Sequence, residues 1–443
     1  MHVKEYHVDL AARNSILSVT ACVAGNFLLR AASSASLTLL SLYLAQLSRQ
    51  EEAVRATYVG LLAIAFYTSE LIGSPLFGSL SDRFGRRPFM FLGVFCGALG
   101  ALALAVSNAR FLFVLSRGVQ GLSAASSVPA VLGHLAAVTA HSAQFRGRVM
   151  VAFEALTVLG FALGFASGGI LWDRMGAEGF YAVLLLYALA AGAFALIQEA
   201  PTVAPARAGA LAYIYLFRNR AILAFIPAWV SVNAVLGMWF THLGFQMARS
   251  AEPGQLLVGG YSGSSVGLLS AGVSLVLVVG AGFWALAFGR IKTFSIMALT
   301  LWGLAALCVL LYLLNHVSRG DTVPIVVFAS LGVVALLVVS GFTPAALTYL
   351  ADLSEHFPEY RGSVMGLYSV FLGVGQLLGA GVGGFFAQNW HVDGLILGSA
   401  LWGVIANVSL YFVANSSGSP AGGQRADGAH SPPSDGPENH SSG

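Results

Sequence analysis

Between Arg87 and Arg110 the chain carries no charged side chain, and uncharged apolar stretches of this kind recur along most of its length. Lipid constrains such a stretch severely. Inside a bilayer core every backbone N–H and C=O needs a protein partner, so only helices and closed barrels cross it. A helix needs about 20 apolar residues to do so. Runs of that order fall at roughly 16–46, 54–79, 88–107, 110–138, 147–172, 179–197, 221–247, 263–288, 293–315, 323–350, 362–388 and 392–415, twelve in all. With 57% hydrophobic and 9% charged residues, and a mean hydropathy of +0.78, a string of soluble domains is excluded. The expected fold class is an all-α integral membrane protein of twelve transmembrane helices.

A long polar break after the sixth run divides the chain. The expected organisation is a cytoplasmic N-terminal segment (1–15), a six-helix bundle (16–197), a cytoplasmic linker (198–220), a second six-helix bundle (221–415) and a Gly/Ser/Pro-rich disordered tail (416–443). The bundles repeat each other. FRGRVMVAFEALTVLGFALGFASGGI from Phe145 aligns without a gap on YRGSVMGLYSVFLGVGQLLGAGVGGF from Tyr360, an offset of 215 that also pairs Pro129 with Pro344 and His141 with His356. Pseudo-symmetric halves around a central cavity are a transporter design, with substrate near the midplane.

Of the Lys and Arg residues, fourteen fall on the side of the N-terminus and six on the other. By the positive-inside bias both termini are cytoplasmic, in a multi-pass protein of the cell membrane. A net charge of +3 fits cations gathered on one membrane face and gives no reason to expect a nucleic-acid partner. MHVKEYHVDLAARN has no apolar core of a cleavable signal, so the first run is expected to remain as a helix. Cys22, Cys96 and Cys308 stand apart inside apolar runs and read as buried thiols. No metal-ligand cluster, nucleophile motif or phosphate-binding loop is apparent, so no metal, cofactor, enzyme activity or ATP drive is expected.

The stretch GSLSDRFGRRP, between the second and third runs, concentrates charge in this apolar chain. Gly78, Leu80, Ser81, Asp82, Arg83, Gly85, Arg86 and Arg87 fill every defined position of G-x-L-(A/S)-D-R-x-G-R-(K/R), and the chain resembles the major facilitator superfamily on that motif. Gly85 permits a tight turn, Pro88 suits the start of a helix, and Asp82 can face a helix start or pair with a guanidinium. The reading is a cytoplasmic gate, a charged latch able to hold the inner ends of the bundles and release them. The plainer reading is that the arginines only fix topology. The corresponding loop of the second half, LAFGRIKTFSIM, repeats Phe288, Gly289 and Arg290 but lacks the aspartate.

Arg30, Glu70, Arg117 and Glu154 are ionisable residues within spans, where charge is expensive and functional by default. Arg117 and Gln120 lie about one turn apart on one face, and Arg117-Gly-Val-Gln120-Gly121 resembles the family's R-x-x-Q-G element, which implies proton coupling. Apolar surroundings favour the protonated form of a carboxylate, so Glu70 and Glu154 are the candidate proton carriers. Arg30 is open to two readings, an anionic substrate group or a pairing with Glu70. The plain alternative for these charges is a static ion pair that fixes packing. His134 and His242 read as packing residues. Phe66, Tyr67, Trp229, Trp239, Tyr368 and Gln376 are cavity-lining candidates by position.

Gly160, Gly164, Gly168 and Gly169 form a small-residue stripe on the fifth helix, repeated as Gly375, Gly379, Gly383 and Gly384 on the eleventh. The stripe resembles the family's G-x-x-x-G-P-x-x-G-G exporter element with Phe165 in place of proline, and it reads as a packing device at the interface of the halves. What the resemblance implies is a secondary transporter working by alternating access as a monomer, with a small-molecule substrate, protons and the lipid bilayer as partners. The expected activity is efflux of a drug or metabolite by proton antiport. The alternatives are a symporter importing a sugar, organic acid or peptide, and a non-transporting sensor or scaffold.

Overall fold

A computed structural model describes residues 2–50, 54–107, 109–140, 142–197, 220–288, 290–355 and 361–417. The regular structure of these residues is helical apart from one isolated bridge between Phe288 and Ile291. The first half holds α1 (His2–Gln50), α2 (Ala56–Phe84), α3 (Arg87–Val106), α4 (Arg110–Val138), α5 (Ala143–Met175) and α6 (Gly179–Ala195). The second holds α7 (Arg220–Ala248), α8 (Gly263–Ala285), α9 (Thr293–Asn315), α10 (Thr322–Val339), α11 (Phe342–Glu355) and α12 (Arg361–Ser417).

Among the described residues, ten stretches are long and apolar enough to cross a membrane. Two of them, Gln144–Ala195 with 52 residues and Ser369–Asn415 with 47, exceed twice the roughly 20 residues that a crossing needs. Each turns back on itself, the first at Gly176 (φ 58°) and the second at His391 (φ 55°), so ten stretches make twelve crossings. His391 holds its unusual backbone with both ring nitrogens engaged. Nδ1 lies 2.9 Å from Arg249 Nη1, and Nε2 3.4 Å from Glu252 Oε2.

Two boundaries differ from the sequence reading. α1 begins at His2, well before the first apolar run. The tenth run, read as continuous, breaks between α10 and α11 at Ser340 and Gly341, where a Cβ on Gly341 would lie 2.7 Å from the Trp284 ring. The linker at 198–219 and the tail from 418 lie outside the described residues.

Close packing explains the glycine stripes and corrects their expected place. Cβ atoms on Gly160 and Gly168 would lie 2.6 Å from Phe27 O and 2.7 Å from Ala35 O, and one on Gly164 would meet Ala31 O. These rungs let α5 lie directly on α1, inside one half. In the second half Gly375, Gly379 and Gly383 meet Val230, Ala234 and Met238, pressing α12 onto α7. The partners on α1 and α7 are each 203 residues apart (27 and 230, 31 and 234, 35 and 238). Only the last rung of each stripe reaches the other half, Gly169 to Gly263 at the start of α8 and Gly384 to Ala56 at the start of α2. The halves thus meet through α5 on α8 and α2 on the first arm of α12, two contacts built from equivalent residues.

Candidate functional site

The four charged residues read from the spans converge inside the first half. Gly121 brings α4 against α2: a Cβ there would collide with Phe66 O. That approach sets the Arg117 guanidinium 4.5 Å from the centre of the Phe66 ring, a cation–π contact in a dry setting. Arg117 is 4% exposed. Its Nη1 donates to Gln120 Oε1 at 2.5 Å, and Gln120 Nε2 donates to Ser36 Oγ at 2.9 Å, which ties α4 to α1. Tyr187 of α6 is buried, hydrogen-bonded to Ser33 and within electrostatic reach of Arg117 and Arg30.

Arg30 is held differently. Its guanidinium lies 5.6 Å from the Phe161 ring centre, and its Nε is buried without a hydrogen-bond partner. Glu70 and Glu154 are the carboxylates within electrostatic reach of it. Neither carboxylate forms an ion pair or hydrogen bond with it among the described residues. Glu70 lies within electrostatic reach of both Arg30 and Arg117. Glu154, on α5, lies within electrostatic reach of Arg30. Two guanidinium and two carboxylate groups make a formally neutral cluster in which the acids have no fixed partner. Loading one proton leaves it with a net positive charge, and that change acts over long range in a poorly screened interior.

The seam between the halves runs beside this cluster. Tyr67, one turn before Glu70, hydrogen-bonds Thr241 of α7 and packs edge-on to Phe66 with ring centres 5.3 Å apart. Phe161, Phe165 and Phe240 stack in succession, so Phe165, at the position of the exporter element's proline, makes a ring contact from α5 to α7 with centres 5.8 Å apart. Trp229 is not a lining residue: 1% exposed, it stacks on Phe342 in the core of the second half. Trp239 donates to Ser399 Oγ at 2.8 Å, and Gln376 backs onto Gly237. The Tyr368 side chain lies outside the described residues. His134 bonds Ser18 at 2.9 Å, and His242 bonds Ala380 O at 2.8 Å.

The charged loop is built from one half. Gly85 takes φ 91°, open to glycine at little cost. Arg86 pairs with Asp82 at 3.2 Å and lies against Gly133 of α4, where a Cβ would come 2.8 Å from its Nε. Arg87 donates to Ala195 O at 2.7 Å, placing a cation at the C-terminal end of α6. Gly78 leaves room for Pro129. Arg83 stands exposed in the last turn of α2. Among the described residues, the partners of Asp82, Arg86 and Arg87 on helices belong to α2, α3, α4 and α6, so the loop ties the first bundle to itself. Gly289 of the matching loop lies outside the described residues.

Sequence reasoning missed Ser33, Ser36, Tyr187 and Thr241. The run Ala-Ala-Ser-Ser-Ala-Ser after Arg30 was the available signal, since hydroxyls within a span seek interhelical partners.

The sequence pattern described as Major Facilitator Superfamily matches residues 22–261 and 234–435. The chromaffin granule amine transporter of Rattus norvegicus is 26% identical over 342 residues, 76% of this chain, and the chain spans 62% of its length. The tetracycline resistance protein, class D, of Salmonella ordonez is 25% identical over 375 residues, which cover 81% of this chain and 88% of that protein. Among solved structures, the nucleoside transporter NupG superposes with a TM-score of 0.68 at 14% identity, covering 90% of this chain and 97% of that one.

Proposed function

Since the chain belongs to the Major Facilitator Superfamily, we propose that it is a secondary transporter that exports a drug-like molecule or metabolite across the cell membrane in exchange for protons. The single observation that carries this reading is the neutral cluster of Arg30, Glu70, Arg117 and Glu154, whose two acids are free of direct partners among the described residues. Protonating Glu70 removes one of the two carboxylate charges that act on Arg30. Glu154, the second acid of the cluster, passes the proton on to or from Glu70. Arg117, fixed by Gln120 and Phe66, is the constant charge against which the cycle works. The bundles at 16–197 and 221–415 rock about the α2–α12 and α5–α8 contacts. The Asp82–Arg86 pair stiffens the mouth of the first bundle, both termini face the cytoplasm, and the working unit is a monomer. A relative named for tetracycline resistance and another named for amine transport support efflux of an organic amine or a polycyclic compound.

Reconstitution into vesicles with a pH-sensitive dye inside tests this, with tetracycline and a lipophilic amine as probes. Probe and protons are expected to move in opposite directions, and Glu70→Gln and Glu154→Gln are expected to stop the exchange. Movement in the same direction makes the protein a symporter. Proton-coupled flux that survives both substitutions together removes the assigned carriers.

A further inference from the structure

At the end of the molecule opposite the Asp82 loop, three side chains cross from one half to the other, and each lands on a helix terminus. Asp173, near the end of α5, accepts from Gly263 N at 2.7 Å and Ser264 N at 2.8 Å, the first amides of α8, and from the Ser264 hydroxyl as well. Gln388, in the first arm of α12, accepts through Oε1 from Ala56 N, the first amide of α2, at 2.8 Å. Arg49, in the last turn of α1, donates to Ala248 O at the end of α7 and to Arg249 O at 3.3 Å. The signs agree with the helix dipole: carboxylate at a positive start, guanidinium at a negative end.

Two of these contacts are copies of each other. Asp173 and Gln388 stand 215 residues apart, the offset of the internal repeat, and the helix starts that they reach, Ala56 and Gly263, stand 207 apart, as do Gly60 and Gly267 behind them. The copies differ in strength. A carboxylate accepting from two backbone amides makes charge-assisted bonds, about twice as strong as the neutral bond of an amide oxygen. They also differ in what they leave behind. α8 keeps a cap of its own, Ser262 Oγ accepting from Ser265 N at 3.2 Å, whereas Arg55 at the start of α2 supplies no side-chain cap. Separation at this end therefore strips the first amides of two helices of their partners, and those amides have no intrahelical alternative.

We propose that Asp173 and Gln388 are the outer gate: twin cross-half helix caps that hold this end of the pathway shut and release together when the site turns outward. The release step rests on the alternating-access reading. The caps set the balance between the two states, with Asp173 the dominant member.

The experiment uses the purified full-length protein with Cys22, Cys96 and Cys308 replaced by alanine and Ser41→Cys as reporter. Ser41 is 5% exposed and its Cβ faces Gly244 of the other half at 3.3 Å from the position of a Cβ there. A maleimide reaches this thiol only when the outer end opens. Asp173→Ala is expected to raise the labelling rate on the order of tenfold, and Gln388→Ala by a smaller factor. Gln388→Glu, which installs the stronger cap on α2, is expected to slow labelling, a direction that misfolding cannot produce. An unchanged rate in Asp173→Ala, or faster labelling in Gln388→Glu, overturns the proposal. Labelling requires neither substrate nor a proton gradient, so its failure and the failure of the antiport reading are separate outcomes.

Discussion

α1 and α5 pack through Phe27, Ala31 and Ala35 on Gly160, Gly164 and Gly168, and α7 and α12 repeat that contact through Val230, Ala234 and Met238 on Gly375, Gly379 and Gly383. The charges inside this shared frame do not repeat. At the offsets that align the helices, Arg30 corresponds to Asn233, Glu70 to Leu277, Arg117 to Gly332 and Glu154 to Ser369. Backbone contact through small residues leaves almost no freedom to vary, because any added atom must displace a carbonyl of the neighbouring helix. Charge inside the membrane is tolerated only where it is used or paired, and these four charges stand in the first half alone at the aligned positions. The comparison separates a packing frame common to both halves from a set of charges found in one.

The largest effect that sharpens this contrast is on transport. Glu70→Gln is expected to lower gradient-driven flux by about 100-fold, a loss of coupling of roughly 3 kcal/mol, while Leu277→Met at the matching place leaves flux unchanged; vesicle assays on the pair decide it. Next comes the frame. Gly164→Val and Gly379→Val should each destabilise the protein by about 2 kcal/mol through overpacking, and denaturant titration in detergent should give closely similar losses for the two. Unequal losses would break the claim of a shared frame. Tyr67→Phe removes one bond across the seam to Thr241, for a loss of about 1 kcal/mol by the same titration. The smallest effect belongs to the loop: Asp82→Asn weakens a part-exposed i,i+4 pair and should change stability by roughly 0.5 kcal/mol. A loss several times larger would mean that Asp82 holds more than its own bundle.

Hydropathy made the twelve crossings legible, because each span satisfies its backbone internally and needs no knowledge of its neighbours. The turn at Gly85 was legible for the same local reason, and so was the pairing of Arg117 with Gln120, one helical turn apart. Trp229 was misplaced because an apolar ring on a membrane helix reads the same whether it faces lipid, cavity or core, and only its stack on Phe342 distinguishes them. The partners of the glycine stripe were hidden as well. Spacing shows that a helix can be approached closely but not by which neighbour, and most rungs turned out to serve the first helix of their own half.

The amino-acid sequence by itself determined the helical class, the number of crossings, the duplication and the identity of the membrane charges, since each follows from composition, period or an ungapped offset along the chain. Tertiary structure alone decided which charge faces which, that both carboxylates stand apart from Arg30, and that Asp173 and Gln388 close one end of the seam. The charge contacts depend on how α1, α2, α4 and α5 are placed against one another, and the closure on segments offset by 215 and by 207 being brought into one register. Register between helices is set by side chains meeting in space, and a one-dimensional pattern carries no record of that meeting.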